Sequence, residues 1–227
     1  MSKHPLWEKI FSSRAWGKYP AEELIRFVAQ NFYAWQPRHM VQILEAGFGT
    51  GANLWFAARE GFTVHGLEGA QAGVDFALAR LDAEVPGWRN QGAQLRCADI
   101  AQPLPYEAGR FDLVIDSDAV TCNSFAASCA IYRELYRVTR PGGRLYVRTP
   151  ALGSWGSNTG NLCGPDAWQC SEGPFAGTGC VRFTREAQLP ELLGSWRIDA
   201  VEKVSRTLAQ QQQHVTEWVV NATRVDE

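Results

Sequence analysis

The chain has 227 residues, 45% of them hydrophobic and 20% charged, which is enough to bury a full core and too apolar for disorder. Its formal net charge of −2 gives no overall drive toward nucleic acid or an anionic membrane surface. No apolar run approaches the roughly 20 residues that a transmembrane helix needs, so residues 1–227 are expected to form one cytoplasmic domain with its six cysteines reduced.

Residues 5–34 read as two helices within a helical cap that spans 1–36. Trp7, Ile10 and Phe11 recur at helical spacing, and after the WGKYP break at 16–20 a second stripe runs through Leu24, Phe27, Val28 and Phe32. From Val41 the pattern alternates: strand 41–46, helix 52–59, strand 62–68, helix 70–82, strands 93–98 and 111–116, helix 124–139, strand 143–149. Such alternation predicts a parallel sheet covered by helices on both faces. Residues 150–183 show no period and are rich in glycine, which predicts a mobile lid or binding insertion. A helix at 184–194 follows, then strands at 196–206 and 214–223 joined by a polar turn, the pattern of an antiparallel hairpin.

The stretch VQILEAGFGTGAN (41–53) carries the strongest chemical signal. A buried strand runs into Glu45-x-Gly47-x-Gly49-x-Gly51 and opens a helix, so backbone N–H groups and missing β-carbons admit a nucleotide-like ligand. Gly47-x-Gly49-x-x-Ala52 also satisfies the looser dinucleotide fingerprint, which leaves two cofactor classes open. Glu68 ends the second strand pattern, where an acid can bind both hydroxyls of a ribose or stand as a solvated strand-end carboxylate. Asp99 follows the third strand and reads equally as an adenine-amine acceptor or a turn aspartate.

The fourth strand runs into DSDAVTCN (116–123), at the sheet edge where open α/β folds bind ligands. Asp118 and Asn123 are the candidates for substrate contact, with a helix N-cap as the competing role for Asn123. Asp116 is expected to orient the cofactor's amino group. Within the insertion, Trp155, Asn158, Trp168 and Phe175 offer stacking and hydrogen-bonding surfaces for a sugar or aromatic acceptor, and Trp16 and Tyr19 are placed to meet them. The spacing of Cys163, Cys170 and Cys180 matches no common zinc pattern, and no metal is expected.

Taken in order, the glycine turn, Glu68, Asp99, the FDLVID strand and Pro141-Gly142-Gly143-Arg144-Leu145 resemble the motifs of class I S-adenosylmethionine-dependent methyltransferases over residues 41–149. WGKYPAEELIRFV and SEGPFAGTG further resemble a bacterial subgroup of small members. The resemblance implies a Rossmann-like, seven-stranded, mostly parallel sheet with an antiparallel C-terminal hairpin, and S-adenosylmethionine as cofactor with S-adenosylhomocysteine as product. It implies that Glu45, Gly47, Phe48, Gly49, Thr50, Gly51 and Asn53 cradle the methionine part and ribose. Glu68 with Gly69 would hold the ribose hydroxyls, and Asp99 with Ile100 the adenine.

No histidine follows the fourth strand, so a base for a hydroxyl acceptor would be Asp118. The expected function is O- or N-methylation of a small molecule, a sugar or natural-product intermediate, by in-line displacement, without nucleic acid or membrane partners. Three alternatives stand beside it. An NAD(P)-dependent oxidoreductase shares the glycine turn, but the chain has no Tyr-x-x-x-Lys pair. An RNA or protein methyltransferase lacks support from any dense Lys/Arg run or N-P-P-Y motif. A non-catalytic cofactor-binding module is the third.

Overall fold

The computed structural model describes residues 4–14 and 16–225. Two helices, α1 (Pro5–Ser13) and α2 (Glu22–Phe32), precede the sheet. Strand β1 (Gln42–Ala46), helix α3 (Ala52–Arg59), strand β2 (Thr63–Glu68), helix α4 (Gln71–Glu84) and strand β3 (Gln94–Cys97) follow. Next come β4 (Phe111–Ser117), α5 (Phe125–Val138) and β5 (Thr139–Pro150).

The 150–183 stretch is not an aperiodic loop. It folds into a three-stranded antiparallel sheet of β6 (Asn161–Gly164), β7 (Ala167–Gln169) and β8 (Cys180–Arg182). Its strands are too short to leave a period in the sequence, and its own small core gathers Trp168, Cys170, Val181 and Phe183. Cys163 and Cys180 form a disulfide with 6.4 Å between their Cα atoms, which corrects the expectation that every cysteine is reduced. Cys163 sits where the β6–β7 pairing slips by one residue, and linear spacing does not reveal that approach.

The chain closes with α6 (Leu189–Leu193), shorter than the expected helix because a 3₁₀ turn takes Glu186–Gln188. The terminal hairpin, β9 (Arg197–Leu208) and β10 (Gln213–Thr223), then completes the main sheet.

The seven main strands lie in the order β3-β2-β1-β4-β5-β10-β9. The first five are mutually parallel, and β10 runs antiparallel to both β5 and β9, as expected. Side-chain alternation sorts the core into two layers. Leu44, Val114 and Leu145 face α5 and α6, whereas Ile43, Leu113 and Ile115 face α2, α3 and α4. The strand order reverses between β1 and β4, which opens a crevice at the carboxyl edge of the sheet. Because β10 is antiparallel, its first half reaches that same edge.

Candidate active site

A cavity of about 550 Å³ occupies the crevice. It runs from Glu68 and Gly69 at the end of β2, past the glycine turn after β1 and Ser117 to Ala119 after β4, to Arg148 on β5 and Glu217 on β10. Helix α1 and residues 174–180 of the insertion roof it, and Leu6 comes to 3.0 Å from where a β-carbon on Gly179 would stand.

Three glycines shape the turn for different reasons. Gly47, Gly49 and Gly51 all have positive φ, at 70°, 55° and 80°. A β-carbon on Gly47 would lie 2.3 Å from that of Ala119, and one on Gly51 would lie 2.6 Å from that of Ala77. Protein packing therefore requires both. Gly49 instead lines the cavity, and its nearest neighbour across that space is Phe11 at 3.5 Å. Phe48 fills the underside of the turn, where Gly66 leaves room for its ring.

Two acids flank this turn. Glu45 is 2% exposed; its Oε1 accepts from the Asn53 amide at 2.7 Å, while Oε2 is buried without a hydrogen-bond partner among the described residues. Burial pushes its carboxyl up to about 8, against the pull of Asn53. Glu68 accepts from the backbone N–H of Gly49 at 2.8 Å and of Ala70 at 2.9 Å. Burial raises its carboxyl as well, while these amides oppose the rise.

Thr50, Asn53, Gly69 and Ile100 also line the cavity, as do Asp118, Asn123, Trp16, Tyr19 and Phe175. Six expected site residues stand apart from it. Gly51 is committed to packing on α4, as above. Asp99 accepts from Ala101 N at 2.9 Å, a turn role, with His4 Nε2 at 3.9 Å. Asp116 is fully buried behind the wall, where Tyr132 donates to it at 2.6 Å and the amides of Ala119 and Val120 at 3.1 and 3.0 Å. It shapes the turn that carries Asp118 and is committed away from any ligand.

The remaining three lie in the insertion. Trp168 is a core residue against Phe183, Trp155 donates to Glu172, and Asn158 occupies an exposed turn. Asn123 is not the N-cap of α5, since Ser124 takes that position and accepts from Ala127 N.

Several lining residues escaped sequence reasoning. Trp7 and Phe11 turn the inner face of α1 to the cavity, His4 packs on Gly69, and Glu8 accepts from Ala72 N at the start of α4, which fixes the helix in place. Arg148 and Glu217, paired with each other across β5 and β10, belong to the wall beside Asp118. The one sequence signal for Glu217 was an acid inside the buried apolar run of β10. Cys122 also lines the cavity, where burial pushes its thiol up to about 12 and so opposes thiolate formation.

Residues 43–143 match the model of the methyltransferase domain family. The solved structures with this fold include an S-adenosylmethionine-dependent methyltransferase from Methanosarcina mazei, with 19% identity over 88% of this chain and 98% of that one and a TM-score of 0.64. A Burkholderia thailandensis 1,6-didemethyltoxoflavin N1-methyltransferase, solved with its acceptor and S-adenosylhomocysteine, shares 16% identity over 90% and 80% of the two chains at a TM-score of 0.62. The [4+2]-cyclase SpnF is also similar, with 18% identity, 98% and 92% coverage and a TM-score of 0.67. No curated protein matched. The match covers residues 43–143, and the seven-stranded sheet has the fold of solved S-adenosylmethionine-dependent methyltransferases.

The residues present fit that cofactor. The buried, donor-free Oε2 of Glu45 suits an ammonium group, and the open space over Gly49 admits a ligand against the main chain.

Proposed function

We propose that this protein transfers the methyl group of S-adenosylmethionine to a small-molecule acceptor bound between α1, residues 174–180 and β10. The observation that carries this reading is the continuity of one cavity from Glu68 on β2 to Glu217 on β10. The β2 and β1 half holds groups suited to an adenosyl cofactor, and the half beyond β4 remains for an acceptor. The total volume lies within the usual range for small-ligand sites, roughly 300–1,000 Å³.

When bound, the cofactor supplies a methyl group activated by a positively charged sulfur. Glu45 holds the amino group, Glu68 the ribose hydroxyls, and Ile100 an apolar face of the base. The rings of Trp7, Phe11 and Phe175 exclude water, and the wall at Asp118 and Asn123 orients the acceptor. Alignment of this kind supplies much of the acceleration for a displacement with a good leaving group. The Burkholderia N1-methyltransferase, solved with bound 1,6-didemethyltoxoflavin, supports a small-molecule substrate. The cyclase on the same fold means that the site must decide the chemistry.

The test is thermal denaturation with S-adenosylhomocysteine or NAD, followed by transfer of labelled methyl to candidate acceptors. S-adenosylhomocysteine at a hundredfold excess over Kd should stabilise by about 2.7 kcal/mol. Stabilisation by NAD alone would overturn the reading in favour of an oxidoreductase.

A further inference from the structure

The far end of the cavity has a charge arrangement that the cofactor does not need. Asp118, in the turn after β4, has a φ of 60°, a left-handed conformation that aspartate tolerates better than most residues. Its N–H donates to the Arg148 carbonyl at 2.9 Å, and its carboxylate lies 3.9 Å from the same residue's guanidinium. Arg148 also pairs with Glu217, whose side chain is 7% exposed. Two carboxyl groups thus share one cation. Asp118 Oδ1 remains shut from solvent with no hydrogen-bond donor among the described residues.

Burial, and the Glu217 carboxylate beside it, hold the Asp118 carboxyl well above the usual range. Arg206 also reaches the cavity, but from the exposed face of β9, where solvent and salt screen it. Aromatic rings complete the enclosure. Trp16 packs edge-on against Trp7 and Phe11 at 5.9 and 5.6 Å, and Tyr19 and Phe175 line the same space.

We infer that the acceptor is an amine that enters as its ammonium ion, with its cationic group received by Asp118 and Glu217 and its apolar body by the aromatic rings. This inference rests on the methyltransferase reading. An ammonium supplies the donor that Asp118 Oδ1 lacks, favours the ionised form of a carboxyl that burial and Glu217 otherwise hold toward its neutral form, and is attracted by neighbouring ring faces. A neutral hydroxyl would supply a donor without stabilising the ionised carboxyl. A carboxylate or phosphate would set an anion against Glu217 beside a guanidinium already committed to it.

The same pair gives the amine its reactivity. An N–H bond of the ammonium breaks and its proton forms an O–H bond on a carboxylate. The electron pair left on nitrogen bonds to the methyl carbon, and the carbon–sulfur pair departs with the neutral thioether. The product is a methylated ammonium.

The test uses three probes of one shape but different charge, benzylamine, benzyl alcohol and benzoate, titrated by calorimetry into the full chain saturated with S-adenosylhomocysteine. Benzylamine should bind at least about tenfold more tightly than the alcohol, with benzoate weakest. Glu217→Gln and Asp118→Asn, nearly isosteric changes read singly and together, should each weaken benzylamine while S-adenosylhomocysteine affinity stays within a few-fold. Labelled methyl should appear on benzylamine. Equal or tighter binding of the alcohol or benzoate overturns the inference, as does benzylamine affinity that the variants leave unchanged or that cannot be detected. If S-adenosylhomocysteine binds and benzylamine does not, the amine inference alone falls. If S-adenosylhomocysteine itself fails to bind, the methyltransferase reading falls with it.

Discussion

The backbone N–H of Gly49 donates to Glu68 Oε2 at 2.8 Å, so the acid at the end of β2 is joined to the turn at the end of β1. Glu68 therefore braces the glycine turn, and in the proposed reading its remaining lone pairs receive a ribose. Glu68→Ala should cost about 1.5–3 kcal/mol of S-adenosylhomocysteine affinity, the range for hydrogen bonds to a charged group. Calorimetry on the folded variant checks this. An unchanged Kd would leave Glu68 as scaffold only.

Glu45 makes cofactor binding depend on pH. Its carboxyl, raised to about 8 by burial, is protonated in the free protein at neutral pH, whereas the cofactor's ammonium requires the ionised form. Binding must then expel a proton below pH 8 and needs no release above it. Affinity for S-adenosylhomocysteine should rise by up to about tenfold per pH unit between pH 6 and 8 and then level. Glu45→Gln should flatten the profile and weaken binding. Calorimetry in buffers of different ionisation enthalpy counts the proton, and a flat profile in the unmutated protein would refute the assignment.

The glycines separate stability from binding. Gly51→Ala places a β-carbon 2.6 Å from that of Ala77 at a φ of 80°, so it should lower the melting temperature by several degrees. Gly49→Ala meets only the Phe11 ring at 3.5 Å, leaving a backbone cost of about 1 kcal/mol, yet its methyl group enters the cavity. It should fold and lose cofactor affinity at least tenfold. Equal affinity in a folded Gly49→Ala protein would move the cofactor off this turn.

The proposed cofactor half of the cavity is legible in the sequence because its parts lie on consecutive strand ends: Glu45 and the glycines after β1, Glu68 after β2, Ile100 after β3. Local pattern and order suffice there. The proposed acceptor half is assembled from distant positions, Asp118, Arg148 and Glu217, brought together only when antiparallel β10 lays its first half against the end of β5. Asp116 and Trp168 misled for a related reason. Polar and aromatic residues near a sheet edge look alike whether they face a ligand or, as here, Tyr132 and Phe183. The small sheet of the insertion was illegible because strands of three or four residues carry no period.

The disulfide tests whether that insertion is an independent roof. Cys163 and Cys180 are separated by 17 positions and tie the two outer strands of the small sheet, and Cys180 itself lines the cavity beside the 174–179 rim. A loop of that size is constrained by about 3 kcal/mol in the chain-entropy account. Cys163→Ser should therefore loosen residues 161–182 and expose 171–179 to limited proteolysis, an effect that dithiothreitol should reproduce in the unmutated protein. The proposed cofactor contacts at Glu45, Gly49 and Glu68 lie outside the insertion, so S-adenosylhomocysteine affinity should stay within a few-fold. Acceptor binding, for which Phe175 on the loosened rim is proposed, should weaken. If cleavage is unchanged by reduction, the small core of Trp168, Val181 and Phe183 holds the roof without the bridge. If S-adenosylhomocysteine affinity collapses instead, the insertion supports the cofactor half as well, and the division of the cavity at β4 is wrong.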